Sequence, residues 1–157
     1  MNRSVGYQSI FFIALLATAF AFGAALAHAL ELPNKISLSA NDYFVAQKAY
    51  RGWDRLGYLL AVQLIALIGL AVLSRHTTSV FWLVVTALAC LVAAQIVFWI
   101  YTYPANVATR NWTIVPDNWQ TLRGRWEYSH AVGALFQLMA LCSLLVAALG
   151  RSRLEVG

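Results

Sequence analysis

The chain has 157 residues, of which 61% are hydrophobic and only 11% charged, with a mean hydropathy of +0.67. A soluble domain is about half apolar and about a quarter charged, so the composition excludes an ordinary water-soluble globule, and the length allows a single domain over 1–157. The formal charge of +5 lies in connections and tails, without a basic run; it points to positive-inside sorting or anionic lipid and away from nucleic acid.

Four apolar runs, at about 10–30, 56–73, 80–101 and 128–149, reach the roughly 20 residues needed to cross a bilayer. The expected fold is all-α: a polytopic membrane protein built as a four-helix up-down bundle. Cys90 and Cys142 lie inside apolar runs and read as small core residues.

The first run has a basic start at Arg3 and a small-residue pattern at Ala27-His28-Ala29, as a signal peptide would. Its apolar stretch is longer than a signal core, so it reads as an anchored helix. His28 and Glu31, three apart, share a face. Pro33 is expected to stop the helix, leaving Lys35 near the interface.

Residues 37–55 form the first large connection. Ser39 or Asn41 can cap a short helix. Tyr43, Ala46, Tyr50 and Trp53 then recur at near-helical spacing, which predicts an amphipathic interfacial helix. Anchoring by belt aromatics is the first role for it, and a lid over a pocket the second. Gly52 is the expected break before the second span.

The second and third spans lack interior charges but each carries a glutamine. By helical rise, Gln63, Gln95 and Gln137 lie about 12–15 Å below one membrane face. Amides can simply join helices; a shared depth on three helices also allows a polar cavity floor.

The second large connection runs from Pro104 to Pro116 and contains Asn106 and Trp112. Beyond it, Asp117 is expected to cap a helix that starts outside the membrane and continues as the fourth span. Trp119, Arg123, Trp126, Glu127, His130, Ala134 and Gln137 recur at steps of three and four, so they share one face. Ionisable residues entering a membrane generally face a bundle interior or a wet cavity. That stripe therefore reads as one wall of a pocket at one membrane face, substrate contacts falling to Trp119, Trp126, Asn106, Trp112, Gln63, Gln95 and Gln137.

Two chemistries are open for the ionisable residues. In one, His28, Glu31, Glu127 and His130 hold a single metal ion; Glu-x-x-His places two ligands on one helical face. In the other no cofactor is called for. His130, with His28 as second base or orienter, acts as general base beside Glu127 or Glu31, and Arg123 balances charge while pairing with Glu127. A salt-bridge network that merely closes the bundle is the structural alternative.

The residues Pro104-x-Asn106, Trp112, Pro116-Asp117-x-Trp119, Leu122-Arg123, Trp126-Glu127 and His130 resemble the anthrone-oxygenase-like family of small four-helix membrane proteins. Most bacterial members of that family are catalogued only as a domain of unknown function. The resemblance covers chiefly the last third of the chain. It implies an oxidoreductase, a monooxygenase that oxidises a lipophilic aromatic or quinone-like substrate with molecular oxygen and without a cofactor. The competing expectation is a non-catalytic membrane accessory subunit or small-ligand binding protein.

The even number of spans puts both termini on one side, with four basic residues (Arg3, Arg75, Arg151, Arg153) against seven around the large connections. Five acidic residues accompany the seven, so the short-loop and terminal arginines are taken as the sorting signal. The expected location is a bacterial inner membrane with both termini cytoplasmic. The expected partners are the bilayer and a lipophilic small molecule, with no nucleic acid; a homo-oligomer or a larger membrane complex is also allowed.

Overall fold

A computed structural model describes residues 3–154, with side chains from 5 to 150. Among these residues there is no strand, and the α-helices are α1 (Arg3–Lys35), α2 (Ala40–Ala46), α3 (Leu56–Ser74), α4 (Thr78–Val97), α5 (Tyr103–Ala108) and α6 (Trp119–Leu154). Four helical stretches are long and apolar enough to cross a membrane: Val5–Lys35, Trp53–Ser74, Thr78–Ala108 and Trp119–Gly150. The protein is an integral membrane four-helix bundle. The side chains of Arg3, Arg151 and Arg153, used for the orientation argument, lie outside the described ones.

α1 packs against α3 and α6, and α4 packs against the same two, so α1 faces α4, and α3 faces α6, across the diagonals. Small and branched side chains fill the centre toward the terminal end: Ala14, Leu67, Leu70, Val84, Ala87 and Leu144 are buried there. The alanines let the helix backbones approach closely where lipid provides no hydrophobic drive. Nearer the other end, Gln63 of α3 donates to Gln137 of α6 at 2.9 Å across the diagonal and to Thr18 of α1 at 3.1 Å. Both amides are buried. Gln95, the third member of the expected floor, makes no hydrogen bond to either.

α1 has 33 residues and α6 has 36. At 1.5 Å per residue each is about 50 Å long, beyond the roughly 30 Å of hydrocarbon. The two large connections pack at a single end of the bundle, against the C-terminal part of α1 and the N-terminal part of α6. α6 runs unbroken from Trp119 through the fourth span, as the periodic stripe predicts.

Three boundaries differ from the sequence reading. α1 passes through Pro33 and ends at Lys35. Proline removes one backbone donor and crowds the preceding turn, yet Ile36 still donates to the Leu32 carbonyl at 2.9 Å, so only the local bond is lost. Pro104 likewise lies inside a helix. The chain absorbs it by widening into a π turn over Phe98–Thr102 before α5 resumes. The second connection therefore starts after Ala108. Finally, α6 begins at Trp119, with the Asn118 carbonyl accepting from Leu122, so Asp117 is not its cap.

The first connection is more closely packed than an anchor. Ser39 caps α2, its hydroxyl accepting from the Asp42 N–H at 3.3 Å. Tyr43 and Phe44 are buried rather than turned toward lipid. After Ala46 the helix tightens into two 3₁₀ turns, Gln47–Tyr50 and Trp53–Arg55. Gly52 separates them at φ 89, a left-handed conformation that glycine adopts without strain. The segment caps the open end of the bundle.

Candidate functional site

Beneath that cap lies a cavity of about 1440 Å³, bounded by α1, residues 41–57, α3, α4 and α6. Its chemistry comes from four helix ends that the up-down topology brings together. α1 contributes His28. α6 contributes Trp126, Ser129, His130 and Gln137. α4 contributes Gln95, α5 contributes Asn106, and the first connection contributes Gln47, Tyr50 and Trp53.

His28 and His130 are adjacent, with ring centroids 4.3 Å apart. His28 is boxed by Tyr50 at 4.4 Å, Trp53 at 5.0 Å and Trp126 at 5.1 Å. The His130 Nδ1 lies 2.8 Å from the Trp126 carbonyl oxygen. A carbonyl only accepts, so Nδ1 carries the proton, and in the neutral ring Nε2 keeps its lone pair. No described residue hydrogen-bonds that Nε2. The buried Nδ1 of His28 also lacks a partner.

The carboxylates do not serve the histidines. Glu127 is fully buried and lies 3.2 Å from the Lys35 ammonium; it also accepts from the Tyr43 hydroxyl at 2.9 Å. Glu31 lies 3.3 Å from the same ammonium and accepts from Tyr50. Lys35 donates to the Tyr50 hydroxyl at 2.6 Å and sits over the Tyr50 and Trp126 rings. One buried cation is thus held between two carboxylates and two aromatic faces. The phenols of Tyr43 and Tyr50 are held well above the ordinary range, chiefly by burial. The Glu127 charge adds to this for Tyr43, and the bond to Glu31 for Tyr50.

This network corrects three expectations. Neither imidazole hydrogen-bonds a carboxylate among the described residues. Arg123 does not pair with Glu127; it donates to the Leu38 carbonyl at 2.7 Å and stacks on Trp119 at 4.6 Å and Tyr43 at 5.4 Å. His28, Glu31, Glu127 and His130 do not form a metal-ligand set: among the described residues no three His, Cys, Asp or Glu groups converge on one point. The physical reason is Lys35, whose ammonium occupies the place between the carboxylates that a metal ion would need.

Of the expected substrate contacts, Trp126, Asn106, Trp112, Gln95 and Gln137 line the cavity, while Trp119 and Gln63 do not. Trp119 packs behind the wall on Tyr43 and Phe44, and Gln63 lies beneath the floor. Lys35, Tyr43, Gln47 and Tyr50 are the members that the sequence reading passed over. The i, i+4 spacing of Glu31 and Lys35 was the available signal, hidden by the expectation that Pro33 ends the helix.

The second connection positions two indoles. Arg110, Asn111 and Trp112 are consecutive left-handed residues at φ 47, 54 and 61, each costing about 1–2 kcal/mol. The turn is tied by Asn111 N–H to the Asn106 carbonyl at 2.7 Å and Trp112 N–H to the Thr109 hydroxyl at 3.1 Å. It folds Trp112 inward, where its Nε1–H and that of Trp126 both donate to Asn106 Oδ1, at 3.1 and 2.9 Å. Asn106→Leu is expected to leave both donors unmet, at about 1–3 kcal/mol for each. It should lower the thermal midpoint and shift tryptophan emission; an unchanged melting curve would show that the paired bonds do not hold the wall.

No protein-family model matches the chain, no curated protein matches it, and no solved structure matches its fold.

Proposed function

We propose that this integral membrane protein is an oxidoreductase, a monooxygenase acting on a lipophilic aromatic or quinone-like molecule in the aromatic cavity, with His130 as general base. The observation that supports this best is the His130 ring, whose Nδ1–H is committed to a backbone carbonyl while Nε2 is left without a protein partner in the cavity wall. The motif resemblance to anthrone-oxygenase-like proteins supports the reaction class.

The chemistry balances with molecular oxygen as the named co-reactant. Nε2 takes a proton from an activated ring CH₂, and the electron pair delocalises into the aromatic system. Oxygen adds at that carbon and the peroxide recovers the proton. Loss of the second C–H proton with cleavage of the O–O bond leaves a carbonyl and one water. The carbon loses four electrons and the oxygen molecule gains four. Trp126 and Trp112 provide stacking faces. The Gln95 side-chain amide and the Asn106 Nδ2–H₂ have no hydrogen bond to a described residue, and both residues line the cavity, so they are neutral donors available to a developing oxyanion.

A second reading, a non-catalytic accessory or small-ligand binding protein, is favoured by one observation. Both carboxylates are absorbed by Lys35 and the tyrosines, so neither orients a histidine. The deciding experiment is oxygen uptake by the purified protein in nanodiscs with anthrone as probe. One oxygen consumed per anthrone supports the enzyme. Saturable binding without uptake would leave the binding protein.

A further inference from the structure

The cavity has polar residues along one side and borders an apolar groove on another. A polar mouth lies between the two large connections, where the exposed residues Lys48, Arg51, Asp54 and Arg110 line it. A shallow groove of about 600 Å³ runs along the outside of the bundle between α3 and α4, and it shares Gly57, Leu60, Gln95 and Trp99 with the cavity. Its remaining lining is aliphatic, including the exposed Val92, Ile96 and Ile100. All of it belongs to helices that cross the membrane, so acyl chains face this groove.

Two local features mark the shared rim. On α3, Gly57 has no side chain, and a Cβ there would meet nothing within 4 Å. Opposite, the π turn over Phe98–Thr102 widens the helix beside the rim, and Trp99 is 58% exposed to the outside. Such turns recur at functional sites. Gln95 is the polar group at the threshold, with its amide uncommitted.

We propose that a flat lipophilic aromatic molecule enters the cavity sideways from the bilayer, through a portal between α3 and α4 framed by Gly57, Leu60, Gln95 and Trp99. This rests on the reading of the cavity as a ligand site. The portal lies at the start of α3, near the membrane boundary, where an aromatic ring with one polar edge concentrates. Ligand pockets of about 300–1,000 Å³ hold drug-sized molecules. This cavity is larger and admits three fused rings.

The test uses a reporter thiol inside the cavity. Cys90→Ala and Cys142→Ser remove the native thiols, and Gly133→Cys places one on the cavity wall, where an added Cβ meets nothing within 4 Å. In nanodiscs, N-(1-pyrenyl)maleimide partitions into the lipid, while a permanently charged methanethiosulfonate stays in water. Adding Gly57→Phe is expected to slow pyrene labelling about tenfold, a barrier change of about 1.4 kcal/mol, and to leave the charged reagent at its original rate. Leu60→Trp, on the same rim, provides an independent block; a selective fall in either variant supports the portal. An unchanged pyrene rate in both, or an equal fall with both reagents, overturns it. Labelling requires no turnover, so this result stands or falls separately from the proposed oxidation.

Discussion

His130→Gln is expected to keep anthrone binding and to lower its oxygen-dependent turnover by about 100- to 10,000-fold, the usual contribution of a positioned general base. Glutamine is close in length, and its amide can still donate to the Trp126 carbonyl that now holds Nδ1. It has no basic nitrogen to put where Nε2 is. The wall therefore keeps its shape and loses only its proton acceptor. Binding is followed by quenching of tryptophan emission and turnover by oxygen uptake, in the same preparation. Turnover at the original rate would remove His130 from the role of base and favour the accessory reading.

Lys35→Met should destabilise the protein more than any other single change near the site, by about 3–5 kcal/mol, the usual result of breaking a buried ion pair from one side. Lys35 is nearly buried, and Glu127, 3.2 Å away, is fully so. Removing the ammonium leaves Glu127 with only the Tyr43 hydroxyl as donor and puts Glu31 nearby without a counter-charge. Adding Glu127→Gln is expected to restore much of the loss, because the uncompensated buried charge is then gone. Reversible unfolding in detergent of the two single variants and the double variant gives the coupling directly. If the two losses simply add, the pair is not coupled and the network is not what closes the capped end.

The four-span layout was legible because apolar runs of bilayer length have few other readings. So was the α6 stripe. Trp126, Glu127, Ala134 and Gln137 are all buried along one face, as steps of three and four require. The convergence of His28 and His130 followed from topology, since up-down connection puts the end of the first span beside the start of the fourth. The partners of each charge were not legible. Glu127 has Arg123 one turn away on its own helix, yet it bonds Lys35 of α1 and Tyr43 of α2. Sequence spacing ranks only neighbours on the same helix, and here buried partners from other elements win because they escape solvent screening.

By itself, the amino-acid sequence determined that this is an all-helical membrane protein with its ionisable and aromatic residues gathered at one end. Hydrophobic length and helical periodicity are local properties, and tertiary packing does not alter them. Only the tertiary structure decided that Pro33 and Pro104 lie inside helices, since the cost of a proline is set by whether its surroundings can absorb a lost bond. It also decided that the Lys35 ammonium sits between the two carboxylates, because that depends on distances between atoms 92 positions apart in the chain at Lys35 and Glu127. The groove between α3 and α4 is tertiary in the same sense, since its Gly57 and Trp99 come from different helices.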